Sequence, residues 1–246
     1  MASATYYDTY WAEQRALTGL YPELRELLAE NVRADHRCLD LGCGDGRTAG
    51  DYLAENTAGY VGVDVSSEAV GEAQARGLDA RAIEDPTRLP FPDGSFDLVT
   101  CLEVLEHLID PAGAVREAKR LLAPRGRLVV TVPNTVYWRR RLDFALIGRW
   151  NPMGDRLSVE QPWRDPHLRF FTLGTLRRML EQETLQVRVL GGHWGGLLVD
   201  TPGRNRFLKR DDPDLDSIRS ASTIYRRLEA TFPSLLAFRL HAVASR

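Results

Sequence analysis

Two short stretches of this 246-residue chain carry residues whose types and spacing can do chemistry. The first is Cys38-Leu39-Asp40-Leu41-Gly42-Cys43-Gly44-Asp45-Gly46-Arg47-Thr48, an apolar run that ends in alternating glycines. Glycines permit positive φ and let a ligand approach the backbone closely. A helix that follows such a loop offers unpaired N–H groups and positive potential. The dinucleotide fingerprint GxGxxG needs glycine at position 47, where Arg47 stands, so the spacing here is GxGxG. Twenty residues beyond Gly44, Asp64 ends the run Val61-Gly62-Val63-Asp64. A carboxylate there can accept hydrogen bonds from both hydroxyls of a ribose. Loop and acid together predict a nucleoside-containing ligand. The second stretch is Glu103-Val104-Leu105-Glu106-His107-Leu108, and a further histidine lies in Asp165-Pro166-His167-Leu168-Arg169-Phe170-Phe171-Thr172. A neutral imidazole is suited to removing a proton near pH 7, so His107 and His167 are the candidate bases, against the alternative that each packs structurally.

These residues need elements to position them, and the chain alternates strand-like and helix-like segments. Strands are expected at Cys38–Leu41, Tyr60–Val63, near 79–83, Phe96–Cys101 and Gly126–Val132. Helices are expected within 46–55, over Ser67–Arg76 with Ser66 as N-cap, and over Pro111–Leu122 with proline in its first turn. The alternation implies right-handed βαβ units and a parallel sheet covered on both faces. After Pro133 the rhythm breaks. Residues 134–166 read as an inserted lid rich in Trp, Arg and Pro. It carries Tyr137, Trp138, Arg139, Arg140, Arg141, Trp150 and Trp163, while Leu142, Phe144, Leu146 and Ile147 need burying. Such a segment could cover an anionic or aromatic substrate, stack on RNA bases, or form a solvated amphipathic helix. A helix at 173–182, a strand at about 184–190, a mobile-looking loop Gly191–Gly196, a polar loop at 200–216, and a helix (216–230) and strand (236–244) complete the reading. The simplest parse is one domain over residues 1–246, with an N-terminal cap at 1–35.

Composition narrows the classes. With 43% hydrophobic residues the chain can bury a full core. Its net charge of −2 does not favour a nucleic-acid binder. All but Lys119 and Lys209 of the 32 basic residues are arginine, which reads as coding bias. Cys38, Cys43 and Cys101 are too few and too irregular for a disulfide framework or a zinc site. No cluster with ligand spacing stands out, so no metal is expected. Met1 to Trp11 has no apolar signal core and no run is long enough to span a membrane, so the expected location is cytoplasmic.

LDLGCGDG followed by VGVD resembles the first two motifs of class I S-adenosylmethionine-dependent methyltransferases. The segment Asp85–Val99 and LLAPRGRLVVTVPN at Leu121–Asn134 resemble motifs of the small-molecule group that includes the ubiquinone and menaquinone biosynthesis enzymes. The resemblance covers about residues 36–182. It implies an α/β, Rossmann-like, doubly wound seven-stranded sheet, mostly parallel with an antiparallel last strand, and S-adenosylmethionine as cofactor. It places Asp40, Gly42, Gly44 and Gly46 toward the aminoacyl end, Asp64 on the ribose and Asp85 on the adenine amino group, with Val65 and Leu102 also in the cofactor set. Pro86 departs from the pattern, because it lacks the N–H that the family often offers to adenine. In many related enzymes an N-terminal tyrosine covers the cofactor, which singles out Tyr7 in Tyr6-Tyr7-Asp8-Thr9-Tyr10-Trp11. For Asp40, a carboxylate that organises the loop from below is the alternative to ligand contact. The expected reaction is methyl transfer to a small or carrier-attached molecule, most readily at oxygen. The alternatives are an RNA methyltransferase, disfavoured because Leu102-Glu103-Val104-Leu105 stands where N-P-P-Y would, and a non-catalytic cofactor-binding partner protein.

Overall fold

The computed structural model describes residues 20–148, 166–193, 227, 228 and 230–246. The strands are β1 (Arg37–Leu41), β2 (Gly59–Asp64), β3 (Ala80–Ala82), β4 (Phe96–Leu102), β5 (Leu122–Pro133), β6 (Gln186–His193) and β7 (Arg239–Ser245). They form one sheet in the order β3-β2-β1-β4-β5-β7-β6. All pairings are parallel except those of β7, which runs antiparallel to β5 and β6. The helices are α1 (Pro22–Asn31), α2 (Gly50–Asn56), α3 (Ser67–Ala75), α4 (Pro111–Leu121), α5 (Trp138–Ile147), α6 (Leu173–Gln182) and α7 (Pro233–Leu236).

Alternation along the strands feeds two cores. Leu39, Val99, Leu128, Val130 and Ala242 face the side that α4 and α6 cover with Ala114, Val115, Ala118, Leu176 and Leu180. Cys38, Leu98, Val129 and Val243 face the side that α1, α2 and α3 cover with Leu24, Leu28, Leu53, Val70 and Ala73. Strands buried on both faces read as near-continuous apolar runs, as these do. The caps follow ordinary chemistry. The Ser66 hydroxyl accepts from Ala69 N–H, the Asp110 carboxylate accepts from Gly113 N–H, and Thr172 and Thr175 form a reciprocal capping box.

Several boundaries differ from those expected, each for a physical reason. The helix expected within 46–55 begins only at Gly50. Gly46 has φ 81, which no α-helix accommodates, and the Asp45 carboxylate holds Arg47 N–H in a turn at 3.0 Å. Gly191 to His193 belong to β6 and not to a mobile loop, pairing with His241 to Arg239. A Cβ at Gly191 would lie 2.9 Å from His241 Nε2, so glycine there allows close packing. Within the expected lid, Tyr137 is buried and begins α5, but Leu142, Phe144, Leu146 and Ile147 remain exposed. The helix instead seats through Tyr137, whose ring packs edge-on to Phe238 at 5.8 Å, and through Arg140 over the Phe238 ring at 5.6 Å. Trp150, Trp163, the loop 200–216 and most of the helix expected at 216–230 lie outside the described residues, as does the cap up to residue 19.

Leu128 is fully buried and Leu146 is 77% exposed. Leu128→Ala is expected to lower the free energy of unfolding by about 2–5 kcal/mol, whereas Leu146→Ala should change it by less than about 0.5 kcal/mol. Equilibrium urea unfolding of both variants checks the contrast.

Candidate active site

The sheet order reverses between β1 and β4, which lie side by side with Leu41 opposite Cys101. In such sheets the crevice beyond the strand ends at this point is where ligands bind. The glycine loop leaves β1 on one side of it. Gly42, Gly44 and Gly46 all have positive φ, at 78, 55 and 81. A Cβ at Gly42 would collide with Val104, and one at Gly46 with Leu78. Asp64, buried at the end of β2, spans the loop. One of its carboxylate oxygens accepts Gly44 N–H at 2.9 Å and the other accepts Ser66 N–H at 2.9 Å.

Asp40 lies beneath the loop, 3% exposed. Thr100 Oγ1 donates to one of its oxygens at 2.6 Å and Tyr60 OH donates to the other at 3.3 Å. Burial pushes its carboxyl up to about 6, although the Thr100 and Tyr60 hydrogen bonds pull it down. Asp85, in contrast, is exposed, and one oxygen accepts both Thr87 N–H (2.8 Å) and Thr87 Oγ1 (2.7 Å), bonds that lower its pKa.

The other wall is the turn after β4. Glu103 has φ 57, a left-handed conformation that costs a non-glycine residue roughly 1–2 kcal/mol. Its N–H is held by Thr131 O at 3.0 Å and Thr131 Oγ1 at 3.1 Å, on β5. A short 3-10 turn, Leu105–His107, follows. Glu106 is 1% exposed, and neither carboxylate oxygen meets a hydrogen-bond donor from another described residue. Burial, and then the negative charge of Glu103, raise its pKa well above the carboxylate range. The Glu106 carbonyl accepts Leu168 N–H at 2.8 Å and Arg169 N–H at 2.9 Å, which brings His167 beside His107. The two imidazole centroids are 4.5 Å apart. His107 Nδ1 lies 3.3 Å from Pro166 O. A carbonyl only accepts, so Nδ1 is the donor in that contact, and Nε2 lies 3.8 Å from Glu106 Oε1.

A family model described as a methyltransferase domain matches residues 10–188. The ubiquinone biosynthesis O-methyltransferase of Marinobacter nauticus is 35% identical over 190 residues, covering 74% of this chain and 77% of that protein. The chain belongs to the class I S-adenosylmethionine-dependent methyltransferases. It is also 35% identical over 133 residues to the 27-O-demethylrifamycin SV methyltransferase of Amycolatopsis mediterranei, and spans about half of that relative, 48% of its length. A solved S-adenosylmethionine-dependent methyltransferase from Archaeoglobus fulgidus shares the fold with TM-score 0.60 at 16% identity, over 91% of each chain.

The methyltransferase cofactor fits the residues present. All three loop glycines have positive φ and carry no side chain, Val104 and Leu78 take the space of a Cβ at Gly42 and Gly46, and Asp64 pins the loop through Gly44 N–H. Val65 and Leu102 flank it, Leu102 at the end of β4 and Val65 just beyond β2. Asp40 is engaged from both sides by Thr100 of β4 and Tyr60 of β2. Tyr7 lies outside the described residues. The expectation of no metal rested on the lack of a ligand-spaced cluster, and folding assembles one. Ligating atoms of Glu106, His107 and His167 all lie within 4.8 Å of one another. Sequence reading also passed over Glu103, Glu106, Thr100 and Arg239. The two acids were legible as Glu-x-x-Glu-His, but Thr100 and Arg239 have no local signature.

Asp40 sets a pH signature. An unfolded chain ionises this carboxyl near 3.8, and the folded chain near 6. Between those values the folded state keeps a proton that the unfolded state has released, so stability falls as pH rises from about 4 to 6 and stays lower above, by roughly 3 kcal/mol at most. Asp40→Asn is expected to remove this component. Urea titrations at pH 4, 5 and 7 should show the difference between wild type and variant opening across that window.

Proposed function

We propose that this protein transfers the methyl group of S-adenosylmethionine to an oxygen of a small or carrier-attached molecule. The observation that carries the reading is the meeting of the two walls, where Val104 of the histidine turn packs on Gly42 of the cofactor loop. That contact supports a proton acceptor on the histidine turn acting beside the cofactor loop. The bound cofactor supplies a methyl carbon on a positively charged sulfur, and the protein's task is to align the acceptor and take its proton. The loop amides at Gly42, Gly44 and Gly46 would face the aminoacyl end, Asp64 the ribose, Asp85 the adenine amino group, and Tyr7 would cover the donor. His107 is the favoured base, because the Pro166 carbonyl, 3.3 Å from its Nδ1, orients the ring. His167 backs it, and residues 134–166 serve as the lid over the acceptor. Oxygen is favoured by the relatives named as O-methyltransferases. An RNA acceptor is disfavoured by the net charge of −2. No helix among the described residues is long and apolar enough to cross a membrane.

A second reading of the acceptor side rests on the buried Glu106 carboxylate, whose oxygens meet no donor from another described residue. With His107 and His167 it forms a ligand set for a divalent cation, which would lower the pKa of an acceptor hydroxyl.

Incubation with S-adenosylmethionine and a panel of catechols and hydroquinones is expected to yield singly methylated products by mass spectrometry. No product and no cofactor binding would refute the reading. Asp64→Ala should weaken binding of S-adenosylhomocysteine in calorimetry by about tenfold to a hundredfold, since leaving buried hydroxyls unpaired costs roughly 1–3 kcal/mol. His107→Asn should lower turnover by about 10²–10⁴-fold with cofactor affinity nearly constant. If a cation is used instead, a chelator abolishes turnover, Mg²⁺ or Mn²⁺ restores it, and His107→Asn loses Mn²⁺ binding.

A further inference from the structure

Arg239 begins β7, where it pairs with Pro133 of β5 and His193 of β6, far in sequence from either motif. Its side chain is only 13% exposed. Its Nε donates to Glu103 Oε2 at 2.8 Å. The guanidinium lies 5.1 Å from the Tyr21 ring centroid and 5.5 Å from that of Phe238. Burial opposes its charge, but Glu103 and then Tyr21 hold its pKa above the ordinary arginine value. Glu103 is the left-handed residue that reverses the chain after β4. Its other carboxylate oxygen is buried and meets no hydrogen-bond donor among the described residues. Among the described residues, the charge of Glu103 is held by this guanidinium at the point where the chain turns.

That turn touches both half-sites. Val104, one residue on, fills the space that a Cβ at Gly42 would need. Glu106 and His107, three and four residues on, belong to the acceptor-side cluster. We propose that Arg239 is a positioning residue, which through its ion pair with Glu103 keeps the turn after β4 seated against the cofactor loop and so sets cofactor affinity from the last strand of the sheet. The inference rests on the methyltransferase reading of the loop. A half-buried carboxylate with one oxygen fully enclosed is unfavourable without its partner, so loss of the arginine should drive the turn outward, whereas neutralising the acid as well should relieve that drive.

The test is a double-mutant cycle on the full chain, with S-adenosylhomocysteine as probe in calorimetry. Arg239→Met is expected to weaken binding by about tenfold or more, because it strands the charge of Glu103. Glu103→Gln alone should weaken it by less, and Glu103→Gln with Arg239→Met should bind within about threefold of Glu103→Gln. Arg239 acting only by packing predicts no such rescue, and losses that simply add would overturn the proposal. So would an Arg239→Met protein that is folded and binds as wild type does. Should Arg239→Met not fold, Arg239→Lys keeps the charge but loses the planar fork, and hydrogen exchange in residues 102–108 should be faster than in wild type. Unchanged exchange there overturns the proposal. A wild-type chain that does not bind the probe refutes the cofactor assignment itself, a different outcome from wild-type affinity in the variants.

Discussion

Leu41 of β1 lies opposite Cys101 of β4, so both strands leave the sheet at the same level. The next residues, Gly42 and Leu102, begin the two walls of the crevice. The helix after β1 belongs to one face of the sheet and the helix after β4 to the other. The two connections must therefore diverge, and the gap between them is enforced by topology and not by any single side chain. What side chains add is closure at the base of the gap, where Val104 sits on Gly42. Glycine there is a requirement of packing as well as of backbone angle, which ties the cofactor loop to the acceptor turn.

Charge is handled differently on the two walls. Asp64 is buried but doubly solvated by backbone N–H groups, from Gly44 and Ser66. Asp40 is held by a hydroxyl pair and Glu103 by an arginine, while burial raises the pKa of Glu106. The cofactor wall is thus self-contained, while the acceptor wall draws on β5, β7 and the segment before α6.

That difference explains what was legible in the sequence. The glycine loop, Asp64 and the strand–helix alternation are local patterns, readable because a turn, a cap or a buried strand imposes its residues within a few positions. The seven-stranded sheet and the bounds of α6 were expected as found. The acceptor cluster was read as two separate histidines, because nothing near His107 announces that the Glu106 carbonyl will capture Leu168 and Arg169. Arg239 was invisible for the same reason, since an ion pair between β4 and β7 is a product of sheet order. Gly191 and Gly192 were misread as a loop because their cause lies far along the chain, in the bulk of His241 on β7 and of Ala237 at the end of α7.

The antiparallel β7 has a consequence for biosynthesis. It lies between β5 and β6 yet is made after both, as residues 239–245. During translation β5 and β6 are complete while the slot between them is empty, and at about 5–20 residues per second the wait for β7 lasts seconds. For that interval β5 and β6 expose the edges that β7 will pair, a template for pairing with other chains. The Glu103 carboxylate likewise lacks its Arg239 partner until residue 239 leaves the ribosome. The nascent protein can fold its cofactor half early, but its sheet closes and its acceptor wall becomes electrostatically balanced only when the final strand threads into place.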